Sequence, residues 1–498
     1  MKKNRILQGL ILAICFSFIA CEEEVVKPPI TVTNDEKINK WIYKDVMNKY
    51  YFWNEKLPKS PNYKMAPNEF FDLICYWYDK NTNPEGDRFS WIQENYVDLL
   101  NSLSGVSSDE IGFEYMLYYV SGSQTNVFGE VQYVKKGTSA EEKGLKRGQT
   151  FTKINAETIT VNNYRTLLRN LKGNYTLTVS DPVVIGGAVS SFQNEHELAL
   201  STLSQYAENP IYLDTVYTDM NGKNIGYLVY NFFADDSGDK TYGYDAQLVQ
   251  IFSKFKTKNV TDLILDLRYN SGGSVLSAVC LAGMIVKGLN TKDIFFRVEY
   301  NKSYTESIRS QVPDDFFYQL FIDKIEPNKN NNLTAPIILV NIGDNLQNFY
   351  VLTGRNTASA SELIINGLLP YMNITLVGDT TVGKNVASTS FYEENNPKNK
   401  WGLQPIIAKL YNKKNESNFT AGFFPNYLNR DRAMPKKELG DLNENMLREA
   451  VSYIAGGTRS FMQVQPISNK RIISSAEQKA WSNNMILNFQ PFFNSNNR

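Results

Sequence analysis

A multidomain α+β chain, with a helical first domain, a β domain and an α/β core, is predicted by three observations. The 498 residues are too many for one ordinary hydrophobic core. Apolar residues recur at helical spacing up to about residue 104, and strand-like runs then take over. From Ile225 onward, buried-looking strands alternate with helices, which implies a core with substantial parallel pairing.

Composition narrows the chemistry. Lys plus Arg and Asp plus Glu both number 52, with no long basic block, so neither nucleic acid nor an anionic membrane surface is the expected partner. Aromatic residues make up 13% of the chain, which suits packed domains and excludes wholesale disorder. His196, in the polar run SFQNEHELAL, is the one histidine. A multi-histidine metal site therefore cannot form, and His196 reads as a surface residue. The cysteines are Cys15, Cys21, Cys75 and Cys280, with no CxxC pair. Cys75 and Cys280 lie in apolar patterns and are expected as buried free thiols. No metal and no cofactor is called for.

In order, residues 1–20 carry Lys2, Lys3 and Arg5 before an apolar run from Ile6 to Ala20, the pattern of a secretory leader. Its end, Phe18-Ile19-Ala20-Cys21, resembles a bacterial lipobox, with Phe18 in place of the usual Leu. That resemblance implies acylation of Cys21, a membrane tether and a place in the cell envelope. Residues 21–34 read as an acidic, extended linker. Residues 35–104 are read as a helical domain, because INKWIYKDVMNKYYFW and NEFFDLICYWYD repeat apolar positions at helical spacing.

Residues 105–200 change character: a strand IGFEYMLYYV, a Gly-rich turn, a short helix near Asn163 to Leu171 and a strand TLTVS. Ser139-Ala140, Gly144 to Gly148 and Lys153-Ile154-Asn155 resemble the turn and strand of a PDZ domain, with Gln149 and Ala156 departing from the usual Asp and Gly. The resemblance implies that the loop Ile111-Gly112-Phe113 receives the carboxylate of a peptide chain end.

Residues 201–456 are read as the core. IGYLVYNFF, DLILDL, APIILVNI and ITLV are its expected strands; DAQLVQIFSKFK and SVLSAVCLAGMIV are helices between them. Two junctions stand where strands run into helices: Asn270-Ser271-Gly272-Gly273, and Thr357 to Ser361. A serine heading a helix faces unpaired N–H groups that can hold an oxyanion. Lys384, flanked by Gly383 and set among Val382, Val386 and Ala387, is placed to lose its proton near neutral pH. Ser359 and Lys384 thus read as nucleophile and base, although the same residues also suit a plain helix cap and a solvated turn.

With these motifs in this order, the chain resembles the C-terminal processing (tail-specific) serine peptidases over roughly residues 35–456. The carrying motifs are Leu265 to Arg268 with Asn270 and Gly272-Gly273, then Thr357 to Glu362, then Val382 to Lys384. The family places its lysine 25 positions after its serine, and Lys384 stands 25 after Ser359, which selects Ser359 over Ser361. The resemblance implies a crotonase-like α/β core and a Ser359–Lys384 dyad. It also implies an oxyanion hole from the N–H groups of Gly272, Gly273 and Ala360, and a protein or peptide substrate. Glu362 matches a family acid that helps to position the dyad; a helix-start acid is the equal alternative. Ser388 replaces a lysine-orienting Gln and keeps one possible hydrogen bond. Asp266 and Arg268 are read as a structural pair. A fold that has kept its shape but lost its chemistry, binding peptides without cutting them, is the other reading. Residues 457–498 are polar with scattered aromatics and carry no assignment.

Overall fold

The computed structural model describes residues 33–107, 109–456, 466–479 and 485–487. The leader, Cys21 and most of the linker lie outside the described residues.

The first domain contains α1 (Asn34–Trp41), α2 (Pro67–Ile74), β1 (Trp91–Gln93) and α3 (Tyr96–Leu103). Thr33 caps α1 by accepting the Glu36 N–H, and Pro67 opens α2, where its missing N–H costs nothing. Ile38, Ile42, Val46, Phe70, Phe71 and Ile74 close its small core. Much of residues 51–95 is irregular rather than helical. That stretch carries Asp87, whose carboxylate accepts from the Tyr51 hydroxyl at 2.9 Å and from the Phe89 and Ser90 N–H groups.

The β domain is an antiparallel sheet built on β2 (Phe113–Tyr119), β3 (Val127–Val134), β4 (Thr150–Ile154), β5 (Asn174–Ile185) and β6 (Ala188–Ser201), with α4 (Tyr164–Arg169) packed on it. The long β5–β6 hairpin turns at Gly186-Gly187, both at positive φ; only its first strand is foreseen in the sequence reading. His196 lies exposed on β6, as expected.

The core comprises β7 (Ile211–Tyr217), β8 (Ile225–Tyr230), α5 (Gly243–Thr257), β9 (Asp262–Asp266), β10 (Gly273–Ser274), α6 (Val275–Ile285), β11 (Ile294–Tyr300) and β12 (Tyr318–Leu320). It continues through β13 (Asn348–Thr353), α7 (Ala360–Leu368), β14 (Thr375–Gly378), β15 (Val386–Ser388), β16 (Gly402–Gln404), β17 (Ile406–Tyr411), β18 (Tyr427–Leu428) and α8 (Asn445–Ile454). Two strands follow it, β19 (Arg471–Ser474) and β20 (Met485–Ile486).

One sheet runs β7-β8-β9-β13-β14-β18, parallel from β8 onward. Alternation along its strands builds three layers. Leu228, Tyr230, Leu263, Leu265 and Val351 face α5, α6 and α7; Tyr227, Val229, Ile264, Leu352 and Val377 face α8. A second sheet, β10-β20-β15-β17-β11-β12, flanks this assembly.

The core strand between β9 and β14 is Asn348–Thr353, not the expected APIILVNI. In that run only Ile337–Ile338 is a strand, in a separate two-stranded ribbon, and Ile338 is 60% exposed. A short apolar run does not say which sheet takes it; here the parallel partners Asp262–Asp266 select the residues that lead directly into the serine turn. Cys75 and Cys280 are buried free thiols, as expected.

Buried ions join the parts. Arg268 pairs with Asp266 at 2.8 Å and Glu444 at 2.7 Å, and Arg147 of the β domain reaches Asp431 at 2.9 Å in the same cluster. Lys135 holds Glu110, Glu114 and Glu208 at 2.7, 3.0 and 2.9 Å. The structural role expected for Asp266 and Arg268 is thus observed. Because removing one partner strands buried charge, Arg268→Met is expected to cost about 3–5 kcal/mol, read as a lower denaturant midpoint with an unchanged slope.

Candidate active site

Three loops at the C-terminal ends of β9, β13 and β14 meet on one side of the parallel sheet, the place where α/β sheets gather reactive groups. Asn270, fully buried, organises the first. Its amide donates to the Tyr230 carbonyl at 2.8 Å and its Oδ1 accepts the Gly272 N–H at 2.9 Å. Its own carbonyl accepts from the Ala358 N–H at 3.1 Å and the Ser361 hydroxyl at 3.2 Å, so the glycine turn and the serine turn are tied together. Gly272 and Gly273 sit at φ 108° and 132°, and a Cβ on Gly273 would stand 2.0 Å from the Phe233 carbonyl oxygen. Only glycine fits there.

Ser359 begins α7 at φ 63°, ψ −114°, a region that non-glycine residues occupy only under strain. It is buried, and its Oγ makes no hydrogen bond among the described residues. The reverse half of a capping box is formed: Glu362, in the first turn of the helix, accepts the Ser359 N–H at 2.9 Å. The same carboxylate oxygen accepts the Lys384 N–H at 2.8 Å, while its twin accepts from the Gly383 N–H at 2.6 Å and the Thr381 hydroxyl at 2.5 Å. One buried carboxylate thus holds the backbones of the two residues singled out in the sequence. Both alternatives read for Glu362 are realised together: it stands at the helix start and it positions the lysine loop. Burial pushes its pKa up, against hydrogen bonds that pull it down.

Lys384 is fully buried, and its Nζ has no hydrogen-bond partner among the described residues. Desolvation drives its pKa down to about 7, opposed by the negative charges of Asp87 and Glu362 and assisted by Arg88. The ammonium end lies 4.9 Å from the centre of the Phe89 ring. Arg88 donates to the carbonyls of Val382 and Gly383 at 3.2 and 3.0 Å and so clasps the lysine loop from the first domain. A cavity of about 370 Å³ opens beside this loop, lined in part by Trp53, Arg88, Phe89, Asn385 and Lys409. The sequence reading missed the contribution of Asp87, Arg88 and Phe89. The only signal was polar residues interrupting an aromatic-rich stretch, which periodicity treats as a loop.

Other predicted residues fall differently. The Gly272 N–H is taken by Asn270, so it is not free to hold an oxyanion in this arrangement; Gly273 lies in the strand paired with β20, and Ala360 is the first residue of a helix whose opening N–H groups have no helical acceptor. Ser388 does not support the lysine: its hydroxyl donates to the Met485 carbonyl at 3.3 Å and accepts from the Gln404 amide at 3.2 Å. The loop Ile111-Gly112-Phe113 is satisfied internally. The Gly112 N–H donates to the Glu110 carboxylate at 2.8 Å, Ile111 accepts the Tyr175 hydroxyl through its carbonyl, and Phe113 is buried in the domain core. Cys21 lies outside the described residues.

The sign of the Lys384 shift yields a stability prediction. The unfolded chain holds this proton up to about 10.5, the folded chain only up to about 7, so between those values the unfolded state binds more protons and this group's contribution to stability rises with pH. Denaturant midpoints from pH 7 to 9 are expected to rise in the wild type relative to Lys384→Met.

Comparison with known proteins agrees with this geometry. Residues 224–428 match the model of peptidase family S41 and residues 37–91 match the S41 N-terminal domain. The chain is 25% identical over 269 residues to the carboxy-terminal processing protease CtpA of Bacillus subtilis (strain 168), covering 53% of this chain and 46% of that protein. The alignment therefore spans about half the length of that relative. A crystal structure of a Bacteroides fragilis NCTC 9343 protein assigned to the S41 proteases superposes with a TM-score of 0.64 at 25% identity, covering 84% of this chain and 97% of the other. The chain belongs to peptidase family S41.

Proposed function

We propose that the chain is a serine endopeptidase that cleaves unfolded or C-terminally exposed protein segments, with Ser359 as nucleophile and Lys384 as its base. The observation that carries this reading is that two buried groups without a hydrogen-bond partner among the described residues, the Ser359 hydroxyl and the Lys384 amine, stand on loops whose backbones share the Glu362 carboxylate. A lysine with its pKa near 7 is substantially uncharged at neutral pH and can take the serine proton. The alkoxide then adds to the scissile carbonyl. The lysinium returns that proton to the departing amine, and water, deprotonated by the same lysine, releases the acyl group. N–H groups of Gly273 and Ala360 are the donors we assign to the oxyanion. The β domain is read as the module that delivers a substrate chain end.

The leader and Cys21 extend the proposal to a lipid-anchored protein of the cell envelope. Metabolic labelling with a palmitate analogue is expected to mark the wild type and to miss Cys21→Ala; equal labelling would remove the anchor.

The central test is cleavage of unfolded casein. Ser359→Ala and Lys384→Ala are each expected to lose on the order of 10³-fold or more in turnover while remaining folded. Wild-type kcat/KM is expected to climb with pH through about 7 as Lys384 loses its proton, and to persist in EDTA. Cleavage that survives in Ser359→Ala, or a folded wild type with none, would favour a peptide-binding module instead.

A further inference from the structure

The segment that follows the core occupies two strand edges at once. β19 pairs antiparallel with the edge strand β2, with Arg471 opposite Tyr118 and Ser474 opposite Met116. Its neighbours extend the seal: Tyr119 donates to the Lys470 carbonyl, Ser475 donates to the Tyr115 carbonyl and Lys479 pairs with Glu114. Further along, β20 lies parallel between β10 and β15, with Met485 opposite Gly273 and Ile486 opposite both Ser274 and Ser388. One side of that slot is the glycine turn assigned to the oxyanion, and the other is the strand that follows Lys384.

We infer that the slot between Gly273-Ser274 and Val386–Ser388 is a binding site for an extended peptide strand, and that Met485–Leu487 fills it as a resident stand-in for substrate. This rests on the peptidase reading above and adds the form of the substrate. Adjacent strands lie about 4.8 Å apart, so the two walls are separated by the width of one further strand. Only another extended backbone fills such a gap with its hydrogen bonds paired. The slot also has built contacts. The buried Gln404 amide donates to the Ser388 hydroxyl, which donates to the Met485 carbonyl at 3.3 Å, and the Leu487 N–H donates to the Ser388 carbonyl at 2.9 Å. Met485 and Leu487 are buried in the main hydrophobic cluster, while Ile486 between them is half-buried. The occupant alternates as a strand does, which assigns the slot a preference for large unbranched or γ-branched apolar residues two apart. An incoming substrate strand has to displace this segment, so part of the enzyme is unavailable to it at any moment.

The test expels the resident strand in the full chain with Met485→Asp/Leu487→Asp. A fluorescent peptide NNMILNF is titrated into Ser359→Ala with and without these two changes and followed by anisotropy. Binding at least about tenfold tighter to the expelled form is expected, together with a fall in KM for casein of at least about fivefold in the otherwise wild-type enzyme. Equal or absent peptide binding to a folded, expelled form would overturn the inference. Should that form unfold, Ser274→Cys/Ile486→Cys links the paired positions. Its oxidised form is then expected to cleave casein more slowly than its reduced form, and equal rates would overturn the slot. If no form cuts casein, the peptidase reading fails, yet the anisotropy still decides whether the slot takes a peptide.

Discussion

The Glu362 carboxylate is the constraint on which the site depends. A buried acid is tolerated only when its oxygens are satisfied, and this one is satisfied by Ser359, Thr381, Gly383 and Lys384. Those donors come from two loops that the parallel sheet delivers to the same end. Each backbone bond is individually modest, but together they leave the carboxylate one arrangement in which it is paired. The strained serine and the buried lysine are both held by it, and neither side chain spends its own polar atom on that task.

Lys384 owes its depressed pKa to the whole assembly. The first domain supplies the Phe89 ring over its amine and the Arg88 clasp on its loop, and it brings Asp87 near enough to oppose the shift. Burial wins because taking an ammonium out of water costs more than these carboxylates return. A helical domain that reads as a separate unit is therefore part of the surroundings of the core's buried lysine. Its β1 strand, paired with β16 from Trp91 to Gln93, fixes that contact in register.

The β domain and the later strands raise a related point about open edges. An unpaired strand edge invites another chain. Here β2 is covered by β19, the Gly112 N–H is taken by Glu110, and the gap beside the glycine turn is filled by β20. The surfaces from which the PDZ resemblance implies peptide capture are met in the folded chain by groups of the chain itself. Buried ions such as Lys135 with its three glutamates set the β domain against the core and hold these edges where one segment reaches both.

What the sequence determined by itself is the part that local chemistry and spacing encode. The 25-residue interval between Ser359 and Lys384, the glycines that only a tight approach requires, and the strand runs Ile225–Tyr230, Asp262–Asp266 and Thr375–Gly378 are all legible from residue types and period. Tertiary structure alone decided which strand fills the centre of the sheet and that Asn270 takes the Gly272 N–H. It also decided that Ser388 serves a neighbouring strand and that residues 87–89 complete the site. Each of these depends on partners tens to hundreds of positions away, or on competition between near neighbours for one hydrogen bond. Periodicity records which face of a segment is apolar; it does not record what that face or that N–H will meet.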